Sequence, residues 1–148
     1  MKQIRKSIYI EDMPRKQFDL PRFFQSLGDN TRLRLLNLMG EQEVCVCYFV
    51  EILDAPQPKI SRHLAYLRNV GIVSARREGK WMHYRITMPS HIGASQILQQ
   101  TLSSLLEDKA MQADRKRLAK ACNAPAKYAL NGAPLPLDVT KKCCEACR

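Results

Sequence analysis

The stretch from Gln57 to Asn69, QPKISRHLAYLRN, constrains the fold more than any other part of the chain. Its apolar residues Ile60, Leu64 and Leu67 recur at i, i+4 and i+7, which places them on one face of a helix. Pro58 suits a first helical turn, where its missing N–H would have no helical partner. The other positions are polar and largely basic. The pattern therefore predicts an amphipathic helix whose polar face suits either the major groove of DNA or plain solvent.

The charge distribution favours the DNA interpretation. The chain has 148 residues, enough for one domain and a tail, with 24 Lys and Arg against 14 Asp and Glu and a net charge of +10. Residues 55–88 contain one acidic residue, Glu78, and seven basic ones: Lys59, Arg62, Arg68, Arg76, Arg77, Lys80 and Arg85. Such a balance favours a polyanionic partner, nucleic acid first and an anionic membrane surface second.

The segments before this stretch predict further helices. We expect them at Phe18–Leu27, Asn30–Met39 and Glu43–Leu53, with Asp29 as the N-cap of the second. Residues 54–56, Asp-Ala-Pro, form a tight turn between the third helix and the basic helix. A short helix, a short turn and a basic amphipathic helix are typical of a helix-turn-helix.

The segment after it predicts a β-hairpin. Met82, Tyr84 and Ile86 alternate with polar or amphipathic neighbours, and Gly79 supplies a turn residue. The tip carries Arg76, Arg77 and Lys80, so the hairpin is expected to be a wing that contacts the DNA backbone, the alternative being a solvated tip. The predicted fold is mainly α with a small β-hairpin, a winged helix-turn-helix of order αααα-ββ-α that is dimeric.

The last helical segment is the candidate for dimerisation. Residues 95–118 contain an apolar stripe wider than one small domain needs, so we expect this helix to form the dimer together with the Phe18–Leu27 helix, with ordinary core packing as an equal alternative. The predicted organisation is a flexible basic arm over residues 1–16, the DNA-binding and dimerisation domain over 17–118, and a Pro- and Cys-containing tail over 119–148.

The six cysteines are expected to be reduced. The sequence shows no secretory signal and no long apolar run, which predicts a cytoplasmic protein without a membrane span. Thiols stay reduced in that compartment, so ligand or redox roles are favoured over structural disulfides.

With these elements in place, the chain resembles the arsenic-responsive members of the ArsR/SmtB family of winged-helix repressors. The segments that carry the resemblance are LGDNTRLRLLNLM at 27–39, EVCVCYF at 43–49, PQPKISRHLAYLRNVGIV at 56–73 and GKWMHYRI at 79–86. The resemblance implies a homodimer that binds an operator and releases it when a thiophilic ion binds. Three positions depart from the family pattern: Val50 and Pro56 stand where Cys and Ser are common, and His91 lacks a partner for a zinc site.

Cys45 and Cys47 are the predicted ligands of the inducer, As(III) or Sb(III), and no resident cofactor is expected. Soft thiolates select soft ions, although two buried structural cysteines are the alternative. Trivalent arsenic has three bonding positions. The third ligand is left open among tail residues Cys143, Cys144 and Cys147, with Cys122 as a weaker candidate. Residues i and i+2 of a helix do not face each other, so we expect either that ion binding unwinds the start of the third helix or that this segment already lies outside it.

The predicted contacts with operator double-stranded DNA fall into two sets. The helix residues are Gln57, Lys59, Ser61, Arg62 and His63, of which Gln57 suits adenine and Arg62 guanine. The wing residues are Arg76, Arg77 and Lys80, which suit phosphate and add salt-dependent affinity without sequence preference.

Three other functions remain as alternatives. The same fold would serve to sense Cd(II), Pb(II) or thiol oxidation. A cysteine-rich metalloid-binding or delivery protein would not need both the basic helix and the wing. An enzyme is not expected, because the sequence has no Gly-rich phosphate loop, zinc-hydrolase spacing or Ser/His/Asp set with a suitable context.

Overall fold

The structure is a computed structural model that describes residues 17–128, 130 and 132–138. The predicted arm over residues 1–16 and the cysteines at 143, 144 and 147 lie outside the described residues. In chain order the elements are α1 (Leu20–Leu27), α2 (Asn30–Met39), β1 (Gln42–Cys45), α3 (Val46–Leu53), α4 (Gln57–Val70), β2 (Val73–Glu78), β3 (Trp81–Ile86), α5 (Ile92–Glu107), α6 (Lys109–Asn123), a 3₁₀ turn (Pro125–Tyr128) and β4 (Leu137–Asp138).

The first two helices are capped and tied together by side chains. The carboxylate of Asp29 accepts the backbone N–H of Arg32 at 2.9 Å, which confirms Asp29 as the N-cap of α2. The Arg32 guanidinium then donates to the carbonyl oxygens of Ser26 and Gln25 at 2.8 and 2.6 Å. Those carbonyls belong to the last turn of α1, where helical partners run out, so Arg32 fixes the angle between α1 and α2.

The helix-turn-helix forms as the sequence predicts. Helix α3 ends at Asp54, whose φ of 49° is left-handed, and α4 begins after Pro56. Ile60, Leu64 and Leu67 are fully buried, which confirms them as the core-facing stripe of α4. Burial of such side chains stabilises a fold by about 1.5–3 kcal/mol each, so the stripe fixes which face of α4 remains outside.

The predicted wing is present as the antiparallel pair of β2 and β3. Glu78 pairs with Trp81 across a turn in which Gly79 has a φ of 58°, a conformation that glycine adopts without steric cost. The wing belongs to a larger sheet of strand order β2-β3-β1-β4. The described part of the chain therefore contains the expected winged helix-turn-helix, with two additional strands beside the wing.

The prediction of a helix over the whole of Glu43–Leu53 is wrong at its start. Residues 42–45 form β1, which pairs with β3 in the register Val44 opposite Tyr84 and Cys45 opposite His83. Helix α3 begins only at Val46. The segment EVC is short, and its strand conformation is decided by backbone pairing with a partner about forty residues away, which local periodicity does not reveal.

The prediction of one long helix over residues 95–118 is also wrong. The helix breaks at Asp108, whose carboxylate accepts the N–H of Met111 at 2.9 Å and so caps a new helix, α6. Helix α5 packs mainly on α2 and α6 rather than on α1. Arg34 of α2 forms a two-bond ion pair with the buried Asp114 of α6, at 2.6 and 2.9 Å. Two helices, α5 and α6, are therefore present where the sequence predicted one long helix.

The chain beyond α6 returns to the domain. Leu130 is buried in the core, and Leu137 and Asp138 of β4 pair with Glu43 and Gln42 of β1. Residues 119–138 therefore include the end of α6 and a strand of the sheet, where the sequence predicted part of a Pro- and Cys-containing tail.

Candidate thiolate and DNA-binding sites

Cys45 and Cys47 lie at the junction of β1 and α3, and their Sγ atoms are 3.0 Å apart. Cys45 is the N-cap of α3 with φ −68° and ψ 143°, an extended conformation, whereas Cys47 is in the first helical turn. This change of backbone conformation turns both sulfurs toward each other. The sulfurs are already close without any unwinding of α3. Of the two alternatives expected from the sequence, the structure has the one in which Cys45 lies outside the helix.

The two thiols differ in acidity. Cys47 donates to the Cys45 sulfur, and this hydrogen bond, together with the backbone N–H groups at the start of α3, lowers the pKa of Cys45 to about 7 despite burial. The same interaction and burial raise the pKa of Cys47. Cys45 is thus the thiolate of the pair, because a helix N-terminus stabilises negative charge beside it.

A third ligand is not assembled around this pair within the described residues. There, no group of three or more His, Cys, Asp or Glu side chains is close enough to hold a metal ion. Cys122 of α6 instead lies near the hydroxyl of Tyr48, a residue of α3, and burial raises the pKa of its thiol. The structure therefore provides two converging thiols and no third one from α6.

The polar face of α4 is only partly available for DNA. Gln57, Lys59 and Arg62 are exposed and Ser61 is half-buried. His63 instead is directed toward α2, with its Nδ1 3.7 Å from the carboxylate of Asp29, and burial lowers its pKa. Four of the five predicted helix contacts thus share the accessible side of α4, and His63 lies at its edge.

Tyr66 anchors α4 against the first two helices. The guanidinium of Arg32 lies 4.5 Å from the centre of the Tyr66 ring, and that of Arg22 lies 5.6 Å from it. The Tyr66 hydroxyl donates to Oε1 of Gln25 at 3.2 Å. The sequence placed Tyr66 outside the apolar stripe but gave no indication of these partners. The result is a recognition helix held along one edge by arginine–aromatic contacts.

The three predicted wing residues differ in whether a carboxylate of the protein balances their charge. Arg77 and Lys80 are exposed at the turn, where Lys80 lies over the Trp81 ring at 4.9 Å. Arg76 is held by two carboxylates, Glu43 of β1 at 2.5 Å and Glu78 at 3.1 Å. The positive charge of Arg76, although exposed, is therefore balanced by two carboxylates of the protein, and no carboxylate of the described residues forms an ion pair with Arg77 or Lys80.

The sequence did not indicate that Glu43 and His83 belong to the surroundings of Cys45. Both lie on the same side of the sheet as Cys45, because alternate residues of a strand share a face and paired residues lie side by side. Arg76 balances the negative charge of Glu43 in these surroundings.

The fold and the exposed basic helix define a DNA-binding regulatory protein of the winged helix-turn-helix class. Comparison with known proteins then gives the family: residues 29–75 match the model described as "Bacterial regulatory protein, arsR family". The chain belongs to the ArsR family. Within the described residues, no helix is both long and apolar enough to cross a membrane.

Three relatives show the range of the similarity. The chain is 41% identical over 105 residues, 70% of its length, to the arsenical resistance operon repressor of Escherichia coli K12, and spans 88% of that protein. It is 42% identical to the arsenic resistance transcriptional regulator ArsR2 of Pseudomonas putida KT2440, over 62% of this chain and 84% of that one. The cadmium resistance regulatory protein CadC of Listeria innocua is 38% identical over 47% of this chain and 61% of its own.

A solved structure shows the same fold. HlyU from Vibrio cholerae N16961 superposes with a TM-score of 0.52 at 20% identity, covering 64% of this chain and all of that one. At this identity the likeness supports the winged helix-turn-helix architecture alone.

Proposed function

We propose that this protein is a cytoplasmic homodimeric repressor that binds operator DNA and dissociates from it when Cys45 and Cys47 bind As(III) or Sb(III). The observation that carries this proposal is the pair of converging sulfurs, 3.0 Å apart, at the first turn of the helix that leads into α4. The arsenical resistance regulators among its relatives support the choice of ion. Thiolate ligands select soft, thiophilic ions over hard ones.

The third thiolate is proposed to come from Cys143, Cys144 or Cys147. The pairing of β4 with β1 fixes Asp138 opposite Gln42, three residues from Cys45, and because these strands are antiparallel the proposed ligand requires the chain to reverse direction after Asp138. That separation is about 10 Å in an extended strand, whereas the five residues from Asp138 to Cys143 span up to about 17 Å. The chain is thus long enough for a tail thiol to reach the pair in the same subunit.

The proposed DNA contacts are divided by their surroundings. Gln57 and Arg62 are assigned to base edges, and Lys59 and Ser61 to phosphate near the start of α4. Arg77 and Lys80 are assigned to the backbone beside the wing. His63 and Arg76 face protein carboxylates, so their DNA contacts would require these side chains to leave Asp29 and Glu43.

The proposed dimer uses α1 and α5. The residues that precede them are in contact: Phe18, just before α1, stacks on His91, the N-cap of α5, with 5.1 Å between ring centres. Around them Phe24 and Ile92 are 50% and 77% exposed, which is costly for large apolar side chains in a monomer. A second copy is the proposed cover, because helix-turn-helix proteins bind paired half-sites as two-fold dimers.

The test is fluorescence anisotropy of the reduced full-length protein on DNA from upstream of its own gene, titrated with arsenite. The parent is expected to dissociate with a coupling of about 1–3 kcal/mol, which lowers affinity roughly 5- to 150-fold. Cys45→Ser and the triple variant of Cys143, Cys144 and Cys147 to Ser should bind DNA but fail to respond. Cys122→Ser is the matched control and should respond like the parent. DNA binding that ignores arsenite in every variant would overturn the proposed inducer.

A second candidate signal is Cd(II), Pb(II) or oxidation of the same thiols. The cadmium-resistance relatives support the first two ions, and the 3.0 Å separation with a thiolate at Cys45 supports oxidation. Release by cadmium or lead but not arsenite would select this alternative. Release by peroxide that is reversed by a thiol reductant would select oxidation.

A further inference from the structure

The strand β1 connects the two cysteines directly to the wing. Cys45 pairs with His83 of β3, and His83 in turn pairs with Arg76 of β2, so the three residues form one row across the sheet. Side chains in such a row lie on one face, where neighbours contact each other. A displacement of Cys45 along or across β1 therefore shifts residues of both wing strands directly, and α3 and α4 are not needed to transmit it.

The side chain of Glu43 strengthens this connection. Glu43 is two residues before Cys45 on the same face of β1, and its side chain is 10% exposed. Its Oε1 accepts two hydrogen bonds from Arg76, from Nε at 3.0 Å and from Nη2 at 2.5 Å. A carboxylate buried to this extent depends on its cation, so the pair links β1 directly to β2 across β3, which lies between them in the sheet.

Arg76 also has a second anionic partner on the wing itself. Its Nη1 lies 3.1 Å from Oε2 of Glu78, and that same oxygen lies 3.3 Å from Nε2 of His83. His83 is 1% exposed, and this nitrogen has no hydrogen-bond partner of good geometry among the described residues. Arg76 thus stands between a carboxylate on the cysteine-bearing strand and one beside the wing turn.

We propose that Glu43 and Arg76 are positioning residues that transmit ion binding at Cys45 to the wing. This inference rests on the proposed function and names the residues through which that site acts on DNA. When an ion draws Cys45 toward its other ligands, Glu43 moves with β1 and its hold on Arg76 weakens. Arg76 then pairs with Glu78 alone, and the turn that carries Arg77 and Lys80 leaves the orientation that suits the DNA backbone.

The proposal differs from transmission through the helix-turn-helix in a measurable way. Signal passing from Cys47 along α3 to α4 would not depend on Glu43, which contacts neither helix through its carboxylate in the described residues. Transmission through β1 depends on the Glu43–Arg76 pair. The quantity to compare is the ratio of DNA dissociation constants with and without saturating arsenite, measured for each variant against itself so that changes in basal affinity cancel.

The experiment uses the reduced full-length protein and the Glu43→Gln variant, with arsenite binding measured separately by protection of thiols from a chromogenic disulfide. The variant is expected to bind arsenite as the parent does, but to bind DNA more weakly than the parent before arsenite is added, because Arg76 is already released from Glu43. Its ratio should therefore fall from the parent's value, typically 5- to 150-fold, to less than about threefold. Arg76→Gln should show the same loss, and the double variant no further loss, because the two residues act as one unit. Glu43→Asp, which keeps the charge, should recover part of the ratio.

Glu51→Gln is the matched control. Glu51 is a half-buried carboxylate of α3, and within the described part of the chain no cationic side chain forms an ion pair with it. The ratio of DNA dissociation constants for Glu51→Gln should equal the parent's. If Glu43→Gln binds arsenite and its ratio of dissociation constants equals the parent's, transmission through Glu43 to the wing is overturned. Loss of arsenite binding in that variant would overturn it too, since Glu43 would then act at the ion site. If arsenite does not release the parent from DNA, the proposed function fails and this inference fails with it. If Glu43→Gln does not fold, the ratio measured for Arg76→Gln decides the outcome.

Discussion

The Sγ atoms of Cys45 and Cys47 lie 3.0 Å apart because the backbone changes from strand to helix between them. Two residues separated by one position in a regular helix project on different sides, and in a regular strand they share a face about 7 Å apart. The junction of β1 and α3 brings the sulfurs closer than either regular element would. It also puts the Cys45 sulfur beside the N–H groups of the first helical turn.

The acidity of this pair gives the first prediction. In the reduced, ion-free protein the ultraviolet absorbance of one thiolate should titrate with a midpoint near pH 7, because Cys47 and backbone N–H groups lower the pKa of Cys45 to about 7. The thiolate should be lost as the pH falls below that value. Cys45→Ser should abolish the titration, and Cys47→Ala, which removes the hydrogen-bond donor, should move its midpoint toward the ordinary cysteine value of about 8.5. A midpoint unchanged in Cys47→Ala would contradict the assigned cause.

The ion pair between α2 and α6 gives the second prediction. Asp114 is nearly buried, with 6% of its side chain exposed, and Arg34 provides both of its close hydrogen bonds. Arg34→Met should lower the free energy of unfolding by about 2–3 kcal/mol, somewhat less than a fully buried pair, measured by urea denaturation. Arg117→Met is the control, because Arg117 is 56% exposed and 3.8 Å from Asp114. It should cost less than about 1 kcal/mol; an equal loss in both variants would refute the distinction.

The edge of α4 gives the third prediction. Tyr66→Ala removes the ring between Arg22 and Arg32, so α4 should lose its anchor on α1 and α2, with weaker DNA binding and a loss of about 1–2 kcal/mol in the free energy of unfolding. Tyr66→Phe keeps the ring and removes only the exposed hydrogen bond to Gln25, so it should behave nearly as the parent does. Anisotropy and thermal unfolding of both variants decide this. A Phe variant as weak as the Ala variant would assign the effect to the hydroxyl.

The wing turn gives the fourth prediction. Arg77 is exposed, and its Nε donates only to the nearby carbonyl of Gly79 at 3.3 Å, so its charge is available to phosphate. Arg77→Ala should weaken binding to all DNA sequences alike and reduce the slope of log affinity against log salt by about 1. Arg117→Ala, which changes the net charge equally on α6, should leave that slope unchanged. A change in sequence preference would show that Arg77 contacts bases instead.

The sequence alone determined the elements whose evidence is local. The stripe of Ile60, Leu64 and Leu67 fixed α4, Asp29 fixed the start of α2, and the alternation around Gly79 fixed the wing. Each depends on contacts between residues a few positions apart or on one buried face, and so leaves a periodic trace. The positions of the exposed basic residues followed from these elements, whereas Cys45 was expected in a helix and lies in β1.

Only the tertiary structure decided which distant groups meet. The register that sets Cys45 opposite His83, the pairing of Arg76 with Glu43, and the ion pair of Arg34 with Asp114 all join segments far apart in the chain. Backbone pairing and charge compensation over such separations are selected by the free energy of the whole fold, because each isolated segment has several acceptable partners. For this reason the cysteines were identifiable from the sequence, whereas their connection to the wing was not.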